Sequence, residues 1–158
     1  MKLSAYLRSQ AVRQGAREAV ICDGTRLTFG ELDALVDRLA AGLHDAGAGP
    51  GDRIVVCLPN GVDFVVVFLA ACRLGAVTVP VNPRLADAEI AYMISDSRPH
   101  LIVTTAGRWA GLSRHGSAGA TPVLVDDGSP VDAAAAGEPL WLHELRRAEP
   151  RALPDLPV

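Results

Sequence analysis

Gly47, Gly49 and Gly51 come nearest, among the residues of this chain, to the spacing of a phosphate-binding fingerprint. Such a loop works when it follows a strand and opens a helix, because the helix N-terminus and the loop N–H groups then face the phosphate. Here a helical pattern precedes the glycines and an apolar run follows them, so they read as a helix stop and turn. His44 lies near the end of that helical pattern, where it suits the helix dipole or solvent, and it has no second metal ligand three or four residues away. His100, His115 and His143 are likewise read as non-ligands. Ser95, Asp96 and His100 have the residue types of a nucleophile set, but Ser95 falls in a stretch of helical periodicity without the exposed G-x-S-x-G turn that presents a serine. Asp126 and Asp127 have the chemistry to hold Mg²⁺ beside a phosphate, yet adjacent side chains diverge, and a solvated loop is expected there. Trp109 and Trp141 are isolated and read as packing or as caps of the domain edge. No residue is therefore assigned a catalytic, cofactor-binding or metal-binding role.

The elements around these residues are legible from period and punctuation. Leu3, Tyr6, Leu7, Gln10 and Ala11 have helical spacing over residues 3–14, and AVICDGTRLTF reads as two strands around an Asp23-Gly24 turn. Thr28 and Glu31 have capping-box spacing and open a helix whose stripe is Leu32, Leu35, Val36, Leu39 and Leu43. Asp33, Asp37 and Arg38 lie off that stripe, so the helix is expected to pack one face only. The unalternating run Ile54 to Leu58 predicts a strand buried on both faces. Asn60 is the expected N-cap of the following helix, which has Asp63 in its first turn and is apolar almost all round to Gly75. Strands over 76–81, 101–104 and 122–125 and a helix over 86–97, facing the core with Ile90, Met93 and Ile94, complete the alternation. Strand and helix repeated this way predict an α/β fold, a mainly parallel sheet with helices on both faces. The expected organisation is an α/β unit over 1–125, a loop over 126–138, a short helix over 139–148 and a linker over 149–158.

The 158 residues fit one domain and can bury roughly two thirds of the surface that the unfolded chain exposes. Apolar residues make up 49% but aromatics only 4%, so the core must be built from Ala, Val, Leu and Ile. A net charge of −3 with scattered basic residues excludes a nucleic-acid footprint. Cys22, Cys57 and Cys72, odd in number and set in apolar sequence, predict reduced, packed thiols. The N-terminus lacks an apolar signal core and the longest apolar run, Phe64 to Cys72, is far short of a bilayer span, so a cytoplasmic location is expected.

In order and spacing, LTFGEL, GDRIVVCLPNGVDFVVVFLAACRLGAVTVPVNPRL and EIAYMISDSRPHLIVT resemble the N-terminal region of the adenylate-forming (AMP-binding) superfamily. Asn82, Pro83, Arg84 and Leu85 look more like its fatty-acyl and aryl acyl-CoA synthetases than its amino-acid adenylating domains. Ala86 departs from the pattern where a Ser or Thr would cap the next helix, which implies a start about 1 kcal/mol weaker. The resemblance implies an incomplete part of the large N-terminal domain of an ATP-dependent carboxylate to coenzyme A ligase, acting through an acyl adenylate and then a thioester. It implies ATP, Mg²⁺ and coenzyme A as cofactors of the complete enzyme. None is expected on this chain, since no stretch has the family's phosphate loop, S/T-G-T/S-T-G-x-P-K-G, and Lys2 cannot be the family's C-terminal-domain lysine. Arg84, Arg108 and Arg114 match poorly the positions at which some members bind a coenzyme A phosphate, and none is carried over. The expectation is thus a fragment inactive alone, partnered by the remainder of the enzyme or by itself through exposed apolar surface. The alternative is a naturally short subunit that completes an enzyme on another chain. A third reading is a small-molecule domain with its site at the carboxyl edge of the sheet.

Overall fold

A computed structural model describes residues 3–131 and 139–151. Helix α1 (Leu3–Gln14) precedes a hairpin of β1 (Glu18–Cys22) and β2 (Thr25–Thr28), paired antiparallel. Its two turn residues, Asp23 at φ 46° and Gly24 at φ 80°, are both left-handed, as the tight turn between right-twisted strands requires. Strand β2 passes directly into α2 (Phe29–Asp45) through the expected capping box. The Glu31 N–H donates to Thr28 Oγ1 at 3.2 Å and the Thr28 N–H donates to Glu31 Oε2 at 2.8 Å.

From there the chain alternates: β3 (Arg53–Cys57), α3 (Val62–Leu74), β4 (Val77–Pro80), α4 (Asp87–Ser97), β5 (Leu101–Thr105), α5 (Ala106–Leu112), β6 (Thr121–Val125), β7 (Leu140–Trp141) and α6 (Leu142–Leu145). The strands from β3 to β7 form one parallel sheet in the order β4-β3-β5-β6-β7. Alternate residues feed two cores. Ile54, Val56, Leu101, Val103 and Val123 pack with α1, α2, α3 and α6, while Val55, Cys57, Ile102 and Leu124 pack with α4 and α5. The three-layer α/β fold expected from the alternation is what forms.

Several local expectations are corrected. The polar side of α2 is not solvated, because Asp33 is only 8% exposed. Arg73 of α3 binds Asp33 and Asp37 at 2.6 Å each, and Arg8 of α1 binds the same two carboxylates at 2.9 and 2.6 Å. Helical periodicity cannot distinguish a polar residue that faces water from one that faces a counterion on a neighbouring helix. Asn60 does not cap α3: the N-cap is Gly61, in extended backbone and with no side-chain bond. Ile90 and Ile94 are buried, but Met93 is 39% exposed.

Helix α5 has no counterpart in the sequence reading. Its start is fixed by Thr105, whose hydroxyl accepts from the Arg108 N–H at 3.2 Å, and it buries Trp109, so the packing reading of that residue holds. Residues 140–148 begin with a strand, not a helix. Of the loop and linker expected over 126–138 and 149–158, residues 132–138 and 152–158 lie outside the described part. Among the described residues no helix is long and apolar enough to cross a membrane.

Candidate functional site at the carboxyl edge of the sheet

The sheet order reverses beside β3, since the chain moves from β3 outward to β4 and then returns to lay β5 on the other flank. At such a switch point the loops leaving the two central strands diverge and open a crevice outside their carboxyl ends. Two clefts lie there. One, of about 490 Å³, is walled by the hairpin tip at Cys22 and Asp23, the turn Leu58 to Gly61, Thr105 at the end of β5, and Asp63 with Arg146. The other, of about 580 Å³, shares Leu58, Pro59 and Asn60 and extends over Phe64 to the segment Pro80 to Arg84. Asn60, read from sequence as a cap, instead lines both.

The charges of the first cleft are mostly satisfied internally. Arg146 Nη2 meets Asp63 Oδ1 at 2.6 Å, a pairing of residues 83 positions apart for which neither residue carries a local signal. The buried Thr104 hydroxyl donates to the Cys57 carbonyl at 3.1 Å and ties β5 to β3 just below the crevice. Burial pushes the Cys57 thiol up, only partly offset by Thr104 and Arg108. The hydrogen bond to the Asp23 carboxylate, with some burial, pushes the Cys22 thiol up as well. Neither thiol is poised as a nucleophile.

Asp127 lies against the start of α5. Partial burial pushes its carboxyl up, but bonds from the Ser129 hydroxyl and N–H, the Thr105 hydroxyl and the Gly107 N–H outweigh it and hold the group below the usual carboxylate value. The amide that an anion would use is thus taken by a carboxylate of the chain itself. Asp126 accepts from the Gly128 N–H at 2.9 Å, so the two acids close a turn rather than share a cation. Among the described residues no group of three or more His, Cys, Asp or Glu is arranged to hold a metal. With Asp23 and Asp63 in its wall and Arg146 held on Asp63, the first cleft does not fit a triphosphate.

The other residues singled out from sequence are dispersed. Gly47 and Gly51 are left-handed turn residues, at φ 90° and 84°, after α2 and before β3. His44 Nδ1 and His100 Nε2 lie 3.3 Å from the Ala48 and Ala46 carbonyls at the end of α2. His115 and His143 are exposed. Ser95, Asp96 and His100 are all exposed, and no described hydrogen bond joins them. Arg108 is committed to structure, pairing with Asp87 and donating to the Leu85 carbonyl at 2.6 Å, which fastens α5 to the start of α4. Arg84 is exposed at the second cleft, and Arg114 is exposed in the 3-10 turn Ser113–His115. Half-buried Trp141 lies with its ring centroid 6.0 Å from that of His143.

Comparison with known proteins accounts for this architecture. Residues 7–155 match the model of the AMP-binding enzyme family. The chain is 39% identical over 135 residues to 4-coumarate–CoA ligase 5 of Oryza sativa subsp. japonica, covering 85% of this chain and 23% of that protein. It is 36% identical over 99 residues to the long-chain-fatty-acid–CoA ligase FadD13 of Mycobacterium tuberculosis, covering 61% of this chain and 20% of that protein. A benzoate CoA ligase structure from Burkholderia xenovorans superposes with a TM-score of 0.81 at 27% identity, over 97% of this chain and 30% of that one. The chain therefore spans between a fifth and a third of the length of these three ligases. On the extent of that match, and on a superposition that covers 97% of the chain, the chain belongs to the AMP-binding, adenylate-forming enzyme family.

Proposed function

We propose that these residues form the N-terminal part of an ATP-dependent ligase that joins a carboxylic acid to coenzyme A through an acyl adenylate, and that they carry no adenylation activity by themselves. The observation behind the reading is a family match over residues 7–155 to relatives named as acyl and aryl CoA ligases. The inactivity follows from chemistry. Adenylation needs backbone N–H groups and a cation around the phosphates as charge develops. This sequence has no loop of the family's phosphate-binding pattern, its single lysine is Lys2, and the first cleft has Asp23 and Asp63 in its wall with Arg146 held on Asp63, which supports the reading. The role left for the chain is scaffold. The sheet, closed by α2 and α3, holds the crevice against which residues supplied elsewhere assemble the reacting centre, in a cytoplasmic enzyme using ATP, Mg²⁺ and coenzyme A. Isotopic exchange of pyrophosphate into ATP, with the chain alone and a panel of aliphatic and aromatic acids, tests this. No exchange above background is expected, and clear turnover with any acid overturns the reading.

A further inference from the structure

Residues 139–151 form a strap across one side of the molecule, running from β7 through α6 to Arg151, and the strap supplies Arg146 to the wall of the first cleft. Its attachment differs from that of every other sheet element. Strand β7 pairs with β6 at only two positions, Val123 with Leu140 and Leu124 with Trp141, whereas β3 and β5 pair along four and β5 and β6 along five. Leu142, 2% exposed, is the strap's one fully buried side chain; Leu140 and Leu145 pack against the same core and Trp141 against the other, each only partly buried. Arg146 on Asp63 and Arg151 on Asp45 are its ion pairs, with side chains 24% to 52% exposed, a range in which such pairs contribute little. Its backbone also seats directly on α2 at Gly42, where a Cβ would come within 2.3 Å of the Leu145 carbonyl oxygen and 2.9 Å of its Cα.

We infer that the strap is a releasable latch: it opens as a unit while the sheet from β3 to β6 stays intact, and in opening it withdraws Arg146 from Asp63 and widens the first cleft. Elements with few buried apolar contacts open sub-globally, at lower free energy than the core they rest on. The seat at Gly42 makes the closed position specific, because any side chain there meets the Leu145 backbone for as long as the strap is closed. The inference is independent of the ligase reading, since it concerns only how residues 139–151 are held against α2 and β6.

Hydrogen exchange read by mass spectrometry on the full chain tests it. Peptides covering 140–148 are expected to exchange on the order of 100-fold faster than those of β5, as a sub-global opening does. Gly42→Ala is expected to speed exchange in 140–148 by a further factor of roughly ten or more, leaving β3 and β5 unchanged, and Arg146→Met should act in the same direction more weakly. Equal rates for the strap and β5 in the parent protein overturn the inference. So does a Gly42→Ala effect spread evenly over the sheet, or no effect of that substitution. Should Gly42→Ala fail to fold, the parent rates and Arg146→Met decide the matter.

Discussion

Asp33 and Arg73 show what a single removed charge does in this fold. Their side chains are 12% and 10% exposed, and Asp33 Oδ1 takes the Arg73 guanidinium at 2.6 Å between α2 and α3. Asp33→Ala removes one of the two carboxylates on the Arg73 guanidinium, which keeps Asp37 at 2.6 Å and the residue 33 carbonyl at 3.1 Å, so it is expected to cost about 1–3 kcal/mol. Replacing Asp33 and Arg73 together by apolar residues of similar volume should cost less than that single change. Urea denaturation of the three variants checks both statements, and a loss for Asp33→Ala below about 1 kcal/mol would contradict the burial argument. Asp127 makes a prediction in pH. Its folded pKa lies below the ordinary value of 3.8, so the stability it contributes is fully present above that value and is lost as pH falls through the folded pKa. The melting temperature of the parent should therefore drop more steeply below pH 3.8 than that of Asp127→Asn, and parallel profiles would show that the capping turn does not couple to folding.

The starts of α2 and α4 form a controlled pair within one molecule. Both have Glu at the third helical position returning to the cap N–H, at 2.8 Å from Thr28 and 2.9 Å from Ala86, but only Thr28 has a hydroxyl to complete the reciprocal bond. Ala86→Ser should therefore stabilise the protein by about 1 kcal/mol and Thr28→Ala destabilise it by a similar amount, measured from denaturation midpoints at constant m-value. An unstabilised Ala86→Ser would mean that the extended backbone at Ala86 does not aim a serine hydroxyl at the Glu89 N–H. These caps were readable because their chemistry spans three residues. The hairpin at Asp23 and Gly24 and the buried run of β3 were readable for the same reason, each being set by neighbours in the chain. Helix α5 was not. Its seven residues include Gly107 and Gly111, its start depends on Asp127 twenty positions on, and Gly111 lies where a Cβ would come within 2.4 Å of the Asp87 carboxylate. Strand β7 is two residues long, too short for any period to register. The candidate site shared that fate, since the crevice arises from strand order and the Asp63 to Arg146 pair from tertiary packing.

For the molecule as a whole, the exposed rim of the sheet governs association, because a strand with free N–H and C=O groups is a template for another chain. Strand β4 pairs only with β3 among the described residues and carries Val77, 51% exposed. The Val77 N–H donates to the Asp52 carbonyl at 2.8 Å and the Val81 N–H to the Val56 carbonyl at 3.0 Å, which by alternation turns Thr78 and Pro80 outward. Proline has no N–H, so this rim offers one donor where an ordinary residue would provide two. Pro122 follows the same logic within β6. The Thr121 N–H donates to the His100 carbonyl at 3.0 Å, so position 122 faces the flank of β7, whose pairing begins only at Val123. Both prolines thus sit where the ladder asks for no donor. Pro80→Val would restore the missing N–H and add a β-branched residue to an apolar rim. At equal concentration this variant is expected to form more dimer and higher oligomer than the parent chain, read by size exclusion with light scattering. Identical mass distributions would mean that the rim is covered by some other part of the protein, and that Pro80 serves the turn into Asn82 and Pro83 rather than the solubility of the edge.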